Sequence, residues 1–219
     1  MFYLFNKLRL LPPDSLISTS DVDHADWNYR PFLKIIQRTR FKIISSLLSK
    51  KHYGRILEVG YGSGVFMPHL SDYCDELYGA DPHSKNKEVE EVLLKNNVKA
   101  KLYSSSVTSL FFEDDYFDSI VIVSALEYVD DIEVACKEMQ RILKPDGELI
   151  VITPGSTPIV DFGLKLLTGE SAKENYDERR RILEPTILKY FTAARKIISP
   201  PLIHPIIRLY TAYKLINNK

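Results

Sequence analysis

The stretch RILEVGYGSG, Arg55 to Gly64, decides how the chain is read. A short, mostly apolar run carrying one carboxylate, Glu58, passes into three glycines spaced GxGxG, and VFMPHLSDYC (65–74) can form a helix behind them. Pro68 would still lie in that helix's first turn, where a missing N–H is tolerated. Glycine in such a place serves a tight turn with unusual dihedrals and a backbone that a ligand approaches closely. A helix start after Gly64 would add free N–H groups and a partial positive charge.

On either side of this stretch, strand and helix patterns alternate. ELYGAD (76–81) reads as a strand, KNKEVEEVLLKNN (85–97) as a helix and VKAKLYSSSV (98–107) as a strand again. DSIVIVSAL (118–126) and ELIVITP (148–154) are continuous apolar runs of the kind found in buried parallel strands. Between them Ile132–Leu143 is helical and Pro145-Asp146-Gly147 a turn. The pattern predicts an α/β fold, with a parallel sheet covered by helices on both faces. Ligands on such sheets bind beyond the carboxyl ends of the strands. The loops after residues 60, 81, 106 and 125 should therefore converge on one site.

The flanks are less regular. Phe32, Ile35, Ile36, Ile43, Ile44, Leu47 and Leu48 recur at helical spacing, so residues 28–50 read as one or two amphipathic helices. After Pro154, residues 156–180 combine apolar residues with a charged run and read as a helical insertion over the site. RILEPTILKYF (181–191) looks like the last helix, and 193–202 with 206–216 like a final antiparallel pair of strands. Two regions follow: an N-terminal helical segment, 1–50, over the active site, and a cofactor-binding domain, 51–219, with a cap at about 156–180.

Composition narrows the function. Of 219 residues 45% are hydrophobic, enough for a sizeable core, and 29 basic residues balance 29 acidic ones. Without a basic excess, no nucleic-acid partner is expected. Cys74 and Cys136 are far apart and outside any metal-ligand spacing, so they read as buried thiols and no metal site is expected. No run of about 18–20 apolar residues exists to span a membrane. The apolar start of the chain is interrupted by Lys7 and Arg9 and has no cleavage site, which makes a cytoplasmic location the simplest expectation. Phe2–Phe5 beside Lys7 and Arg9, and Ile206, Ile207 and Leu209 beside Arg208, could rest on a membrane surface. Packing into the core, or against a second subunit of a homodimer, is the favoured alternative.

Two ligand classes suit the glycine loop: a nicotinamide or flavin dinucleotide, and S-adenosylmethionine. Both use an acid at the end of the second strand for ribose hydroxyls, the position of Asp81, so Asp81 does not separate them. The GxGxG spacing differs from the dinucleotide GxGxxG. Glu58 would repel a pyrophosphate, yet could help hold a ligand with an ammonium and a sulfonium centre. Both features favour S-adenosylmethionine and count against an oxidoreductase.

At this point the chain resembles the class I S-adenosylmethionine-dependent methyltransferases. ILEVGYGSG is similar to their first motif, LYGAD to their second-strand acid, LFFEDDYFDSIVIVSALEYVDD to the stretch through their fourth strand, and LKPDGELIVITP to the approach to their fifth. The match covers about residues 55–154 and is nearest to the small-molecule, ubiquinone-biosynthesis-like "methyltransferase type 11" branch. The resemblance implies a Rossmann-like, doubly wound sheet of seven strands, mostly parallel with the last antiparallel, and a helical cap. It implies that Glu58, Gly60, Tyr61, Gly62 and Gly64 lie against the methionine part of the cofactor. Asp81 would accept the ribose hydroxyls, Pro82 would pack on the adenine, and Ser124, Ala125 and Leu126 would line the cofactor. Where the family often has an acid for the adenine amine this chain has Ser106, with the Val107 N–H within reach of a ring nitrogen. Glu127 and Tyr128 stand where relatives place groups beside the substrate. They are the candidate catalytic residues, although no base is identified.

Trp27 and Tyr29 could form an aromatic lid over the cofactor and wall the substrate site, with core packing as the alternative. His24, His69, His83 and His204 are read as packing residues. The expected product is S-adenosylhomocysteine and the expected acceptor a small apolar or amphiphilic molecule, because Ile159, Val160, Phe162, Leu164, Leu166 and Leu167 make the cap apolar. A cofactor-binding subunit without turnover is the alternative from another class.

Overall fold

The computed structural model describes residues 7–21, 23–48, 52–155, 174–201 and 208–219. A 3₁₀ turn at Ala25–Asn28 leads into α1 (Leu33–Leu47). Then come β1 (Tyr53–Val59), α2 (Met67–Leu70), β2 (Cys74–Asp81), α3 (Asn86–Lys95), β3 (Lys101–Ser104), β4 (Phe117–Val123), α4 (Ile132–Ile142), β5 (Leu143–Pro154), α5 (Glu174–Tyr190), β6 (Thr192–Ser199) and β7 (Tyr210–Ile216). The seven strands form one sheet in the order β3-β2-β1-β4-β5-β7-β6. β1 pairs in parallel with β2 and β4, β2 with β3, and β4 with β5. β7 is antiparallel to both neighbours. The alternating pattern predicts the parallel part of this sheet, and the resemblance its Rossmann-like order with an antiparallel last strand.

Successive strand residues point to opposite faces, and both faces are buried. Ile56, Val121, Val123, Ile150 and Ile152 face a core that includes Phe41, Ile44 and Leu47 of α1 and Phe66. Leu57, Val59, Ile120, Ile122, Leu149 and Val151 face a second core with Ile132, Cys136, Met139 and Ile142 of α4 and Leu183 and Ile187 of α5. The Asp131 side chain caps α4 by accepting the Val134 N–H at 3.0 Å. Cys74 and Cys136 are free and buried, and burial pushes both thiols up to about 12.

Two polar anchors hold the loops in place. Arg141 Nη1 donates to the Phe112 carbonyl at 2.7 Å, Nη2 to the Leu110 carbonyl at 2.8 Å, and both Nε and Nη2 reach the Glu138 carboxylate. This fixes the segment after β3 to α4. Buried Asn217 donates to the carbonyls of Gln140, Leu143 and Lys144 and closes the corner between α4 and β5.

Several elements are shorter than their sequence patterns suggest. Residues 65–74 hold one α-turn, then a 3₁₀ turn at Ser71–Tyr73, because the chain must re-enter the sheet at Cys74 opposite Tyr53. β3 stops at Ser104, since the next serines bond locally: Ser105 Oγ to the Ser109 carbonyl, Ser106 Oγ to Thr108. The described part of the 28–50 segment holds one α-helix, α1. The cap residues 156–173 lie outside the described residues, as do His204 and, at the chain ends, residues 1–6 and 202–207. Among the described residues no helix is long and apolar enough to cross a membrane.

Candidate active site

The loop after β1 turns on positive φ at Gly60 (+73°), Gly62 (+50°) and Gly64 (+71°), a region that L side chains rarely adopt. The Gly60 N–H donates to the Ala80 carbonyl at 2.8 Å, tying the loop to β2. A Cβ on Gly64 would stand 3.1 Å from Val89, so α3 packs closely against the loop. Tyr61 is buried below the loop. Its ring fills space left by Gly79, where a Cβ would be 2.7 Å from Tyr61 Cδ1.

Asp81 ends β2. Its Oδ2 accepts the Gly62 N–H at 3.0 Å and its Oδ1 the His83 N–H at 3.2 Å. A carboxylate offers about four acceptor positions, so two amides leave capacity for two hydroxyls. Glu58, at the end of β1, is only 3% exposed, and its Oε2 has no hydrogen-bond partner among the described residues. Burial pushes its carboxyl up to about 8; Arg40 opposes this and Asp81 adds to it. Arg40, on α1, also acts on buried Tyr210 of β7, as does Glu127. Arg40 of α1 thus acts electrostatically on both Glu58 of β1 and Tyr210 of β7.

The other residues singled out by sequence fall around these strand ends. Ser124 takes φ +53°, held by its N–H bond to the Ile152 carbonyl at 2.9 Å, and its buried Oγ has no partner among the described residues. Ala125 lies against Gly60, where a Cβ would approach the Ala125 methyl to 2.3 Å. Leu126, Glu127 and Tyr128 form one 3₁₀ turn, with the first two buried and Tyr128 42% exposed. Pro82 is exposed, and its carbonyl accepts the Ser104 hydroxyl at 3.4 Å. Ser106 Oγ is engaged with Thr108, and Val107 is buried.

The two aromatic lid candidates are packed within the N-terminal segment. Trp27 stacks on His24 with centroids 4.1 Å apart, and the Tyr29 hydroxyl donates to the Leu11 carbonyl beneath the Arg38 guanidinium. Asp23 of this segment approaches the glycine loop: its carboxylate would lie 3.4 Å from a Cβ on Gly62. Asp23, Arg40, Gly79 and His83 escape sequence reasoning. Only Gly79, next but one before Asp81 in the strand, carries a local signal. Among the described residues no cluster of His, Cys, Asp and Glu could hold a metal ion.

A parallel sheet whose first two strands end in a three-glycine loop and an acid, with a buried carboxylate beneath the loop, places its ligand-binding loops at the carboxyl ends of those strands. The comparisons agree: residues 57–151 match the family described as a methyltransferase domain. That stretch is similar to the class I S-adenosylmethionine-dependent methyltransferases, whose cofactor is S-adenosylmethionine.

It is 28% identical over 117 residues to a ubiquinone biosynthesis O-methyltransferase of Pelagibacter ubique, covering 53% of this chain and 48% of that protein. It is 28% identical over 135 residues to a demethylmenaquinone methyltransferase of Clavibacter sepedonicus, covering 62% and 51%. The chain spans about half or less of the length of the curated relatives it matches. Among solved structures, the N-methyltransferase NodS of Bradyrhizobium japonicum shares the fold, with TM-score 0.62, 16% identity, and 88% of this chain and 99% of that chain covered.

Proposed function

We propose that the chain binds S-adenosylmethionine across the carboxyl ends of β1, β2 and β4 and transfers its methyl group to a small apolar or amphiphilic acceptor. The observation that carries this is the pair of carboxylates flanking the glycine loop, Asp81 already aligned by two amides and Glu58 buried with a spare oxygen. Asp81 accepts the ribose hydroxyls. Glu58 faces an ammonium and Arg40 a carboxylate, the two charges of an amino-acid end. The glycine loop gives the cofactor backbone contact where side chains would intrude, and Pro82, Val107 and Ser106 border the base. Since the Ser106 hydroxyl is engaged with Thr108, base recognition falls to backbone groups and apolar contact.

When bound, the cofactor supplies a methyl carbon already activated by a sulfonium. The residues of this chain therefore align reactants and exclude water, and orientation alone can contribute about 7–11 kcal/mol. Ser124, Ala125 and Leu126 wall the cofactor; Glu127 and Tyr128 stand next to them, at the acceptor's side. The apolar residues of the 156–180 segment and the quinone-pathway names of two relatives support an amphiphilic ring acceptor. Titration calorimetry with S-adenosylmethionine, S-adenosylhomocysteine and NAD tests the cofactor. Tight binding of the first two alone supports the reading, and equal binding of NAD defeats it.

A further inference from the structure

His83 lies two residues beyond Asp81, and its side chain is only 6% exposed. Both ring nitrogens are occupied. The Lys85 N–H, which can only donate, meets Nδ1 at 3.1 Å, so that nitrogen carries no hydrogen. Nε2 therefore carries the proton and donates it to the Gly62 carbonyl at 3.1 Å. The neighbouring contacts close a ring: the Gly62 N–H goes to Asp81 Oδ2, and the His83 N–H to Asp81 Oδ1. The imidazole also meets the Tyr61 ring edge-on, with centroids 4.9 Å apart.

Gly62 is thus held from both sides, its N–H by Asp81 and its C=O by His83. These groups belong to the two peptide planes that meet at its Cα, so fixing both fixes φ and ψ of a residue that would otherwise be the loop's freest. The same imidazole ties the start of α3, through Lys85, to that loop. Freezing such a joint before a ligand arrives lowers the ordering cost of binding.

We propose that His83 is a positioning residue that pre-sets the glycine loop against Asp81, so that the methionine and ribose ends of the cofactor meet a pocket already in register. The inference rests on the reading that this pocket takes S-adenosylmethionine. It assigns His83 no contact with the reacting atoms, and so predicts an effect on affinity.

The test compares S-adenosylhomocysteine binding by calorimetry, and hydrogen exchange of the Gly62 amide by NMR, in the wild-type chain, His83→Phe and His83→Gln. Phenylalanine keeps a ring against Tyr61 but makes neither ring-nitrogen hydrogen bond; glutamine restores a donor for the Gly62 carbonyl. The expected result is an affinity lower by about tenfold or more in His83→Phe, roughly the worth of one hydrogen bond, with faster Gly62 exchange and substantial recovery of both in His83→Gln. Wild-type affinity and exchange in His83→Phe would overturn the inference. Equal losses in both variants, tracking a common fall in melting temperature, would show a packing role and overturn it too. If the wild-type chain binds no S-adenosylhomocysteine, the cofactor reading itself fails. Slow Gly62 exchange restored by glutamine would then still separate the loop's geometry from that failure.

Discussion

Gly60 and Ala125 face each other across the site so closely that a Cβ on the glycine would stand 2.3 Å from the alanine methyl. The loops after β1 and β4 therefore share a contact that admits no side chain. At Gly62 the backbone is equally left-handed, but the nearest obstacle is the Asp23 carboxylate at 3.4 Å. Gly62→Ala should cost only the dihedral strain, about 1–2 kcal/mol, while Gly60→Ala adds a clash between two backbone-anchored groups. Thermal unfolding of both variants should rank Gly60→Ala as the more damaged. The reverse ranking would show that the two loops do not meet as described.

Asp81→Ala should weaken S-adenosylmethionine binding by about 1.5–3 kcal/mol, the range for hydrogen bonds to a charged group. The sheet should survive, because Asp81 ends a strand and lies outside both apolar cores. Circular dichroism with calorimetry checks this. Unchanged binding alongside a collapsed melting temperature would make Asp81 structural.

Glu58 supplies a pH signature. Its folded carboxyl is raised from 4.5 to about 8, so between those values the folded chain holds a proton that the unfolded chain releases. Its contribution is thus fully favourable below pH 4.5 and becomes destabilising as pH rises through that window, by on the order of a few kcal/mol for a fully buried group. Glu58→Gln should flatten the dependence in urea melts from pH 5 to 8. An incoming ammonium would favour the ionised form, so cofactor binding near neutral pH should release a proton. Calorimetry in two buffers of different ionisation enthalpy reads that release directly, and buffer-independent heats would contradict it.

Asn217→Ala removes the donor to three carbonyls at the corner between α4 and β5. Leaving the Gln140 and Lys144 carbonyls without this donor costs about 1–3 kcal/mol each, while Lys219 Nζ still reaches the Leu143 carbonyl, so a loss of roughly 3 kcal/mol in urea unfolding is expected, with S-adenosylmethionine affinity unchanged. A variant as stable as the parent would mean that water replaces the side chain there.

The sequence discloses the site unevenly. Glu58, the three glycines and Asp81 are legible because each belongs to a contiguous pattern in which chain order and chemistry coincide. The buried strands are legible because a sheet covered on both sides demands unbroken apolar runs such as Ile120–Val123. His83 is not legible: a histidine after a strand has no periodicity, and its role exists only once Gly62 and Lys85 are folded around it. Arg40 looks like one more solvated charge on α1 until the packing places it near Glu58 and Tyr210. The helix expected across 65–74 fails for a related reason. Local propensity favours it, but the distance back to the sheet at Cys74 allows little more than one α-turn. Trp27 and Tyr29 draw attention as large aromatics, yet the carboxylate of Asp23, a smaller residue, lies nearest to where a Cβ on Gly62 would stand.

The strand order has a consequence for how the molecule is assembled. β7 lies between β5 and β6, so β6 is synthesised before the strand that joins it to the sheet. Until residues 210–216 emerge from the ribosome, β6 is an unpaired ribbon and β5 an open edge of bare amides and carbonyls. β7, made after both, is therefore the strand that shields β5 and β6 from pairing with the wrong chain. Cutting it away should release β6 as well, leaving five of the sheet's seven described strands with a sticky border.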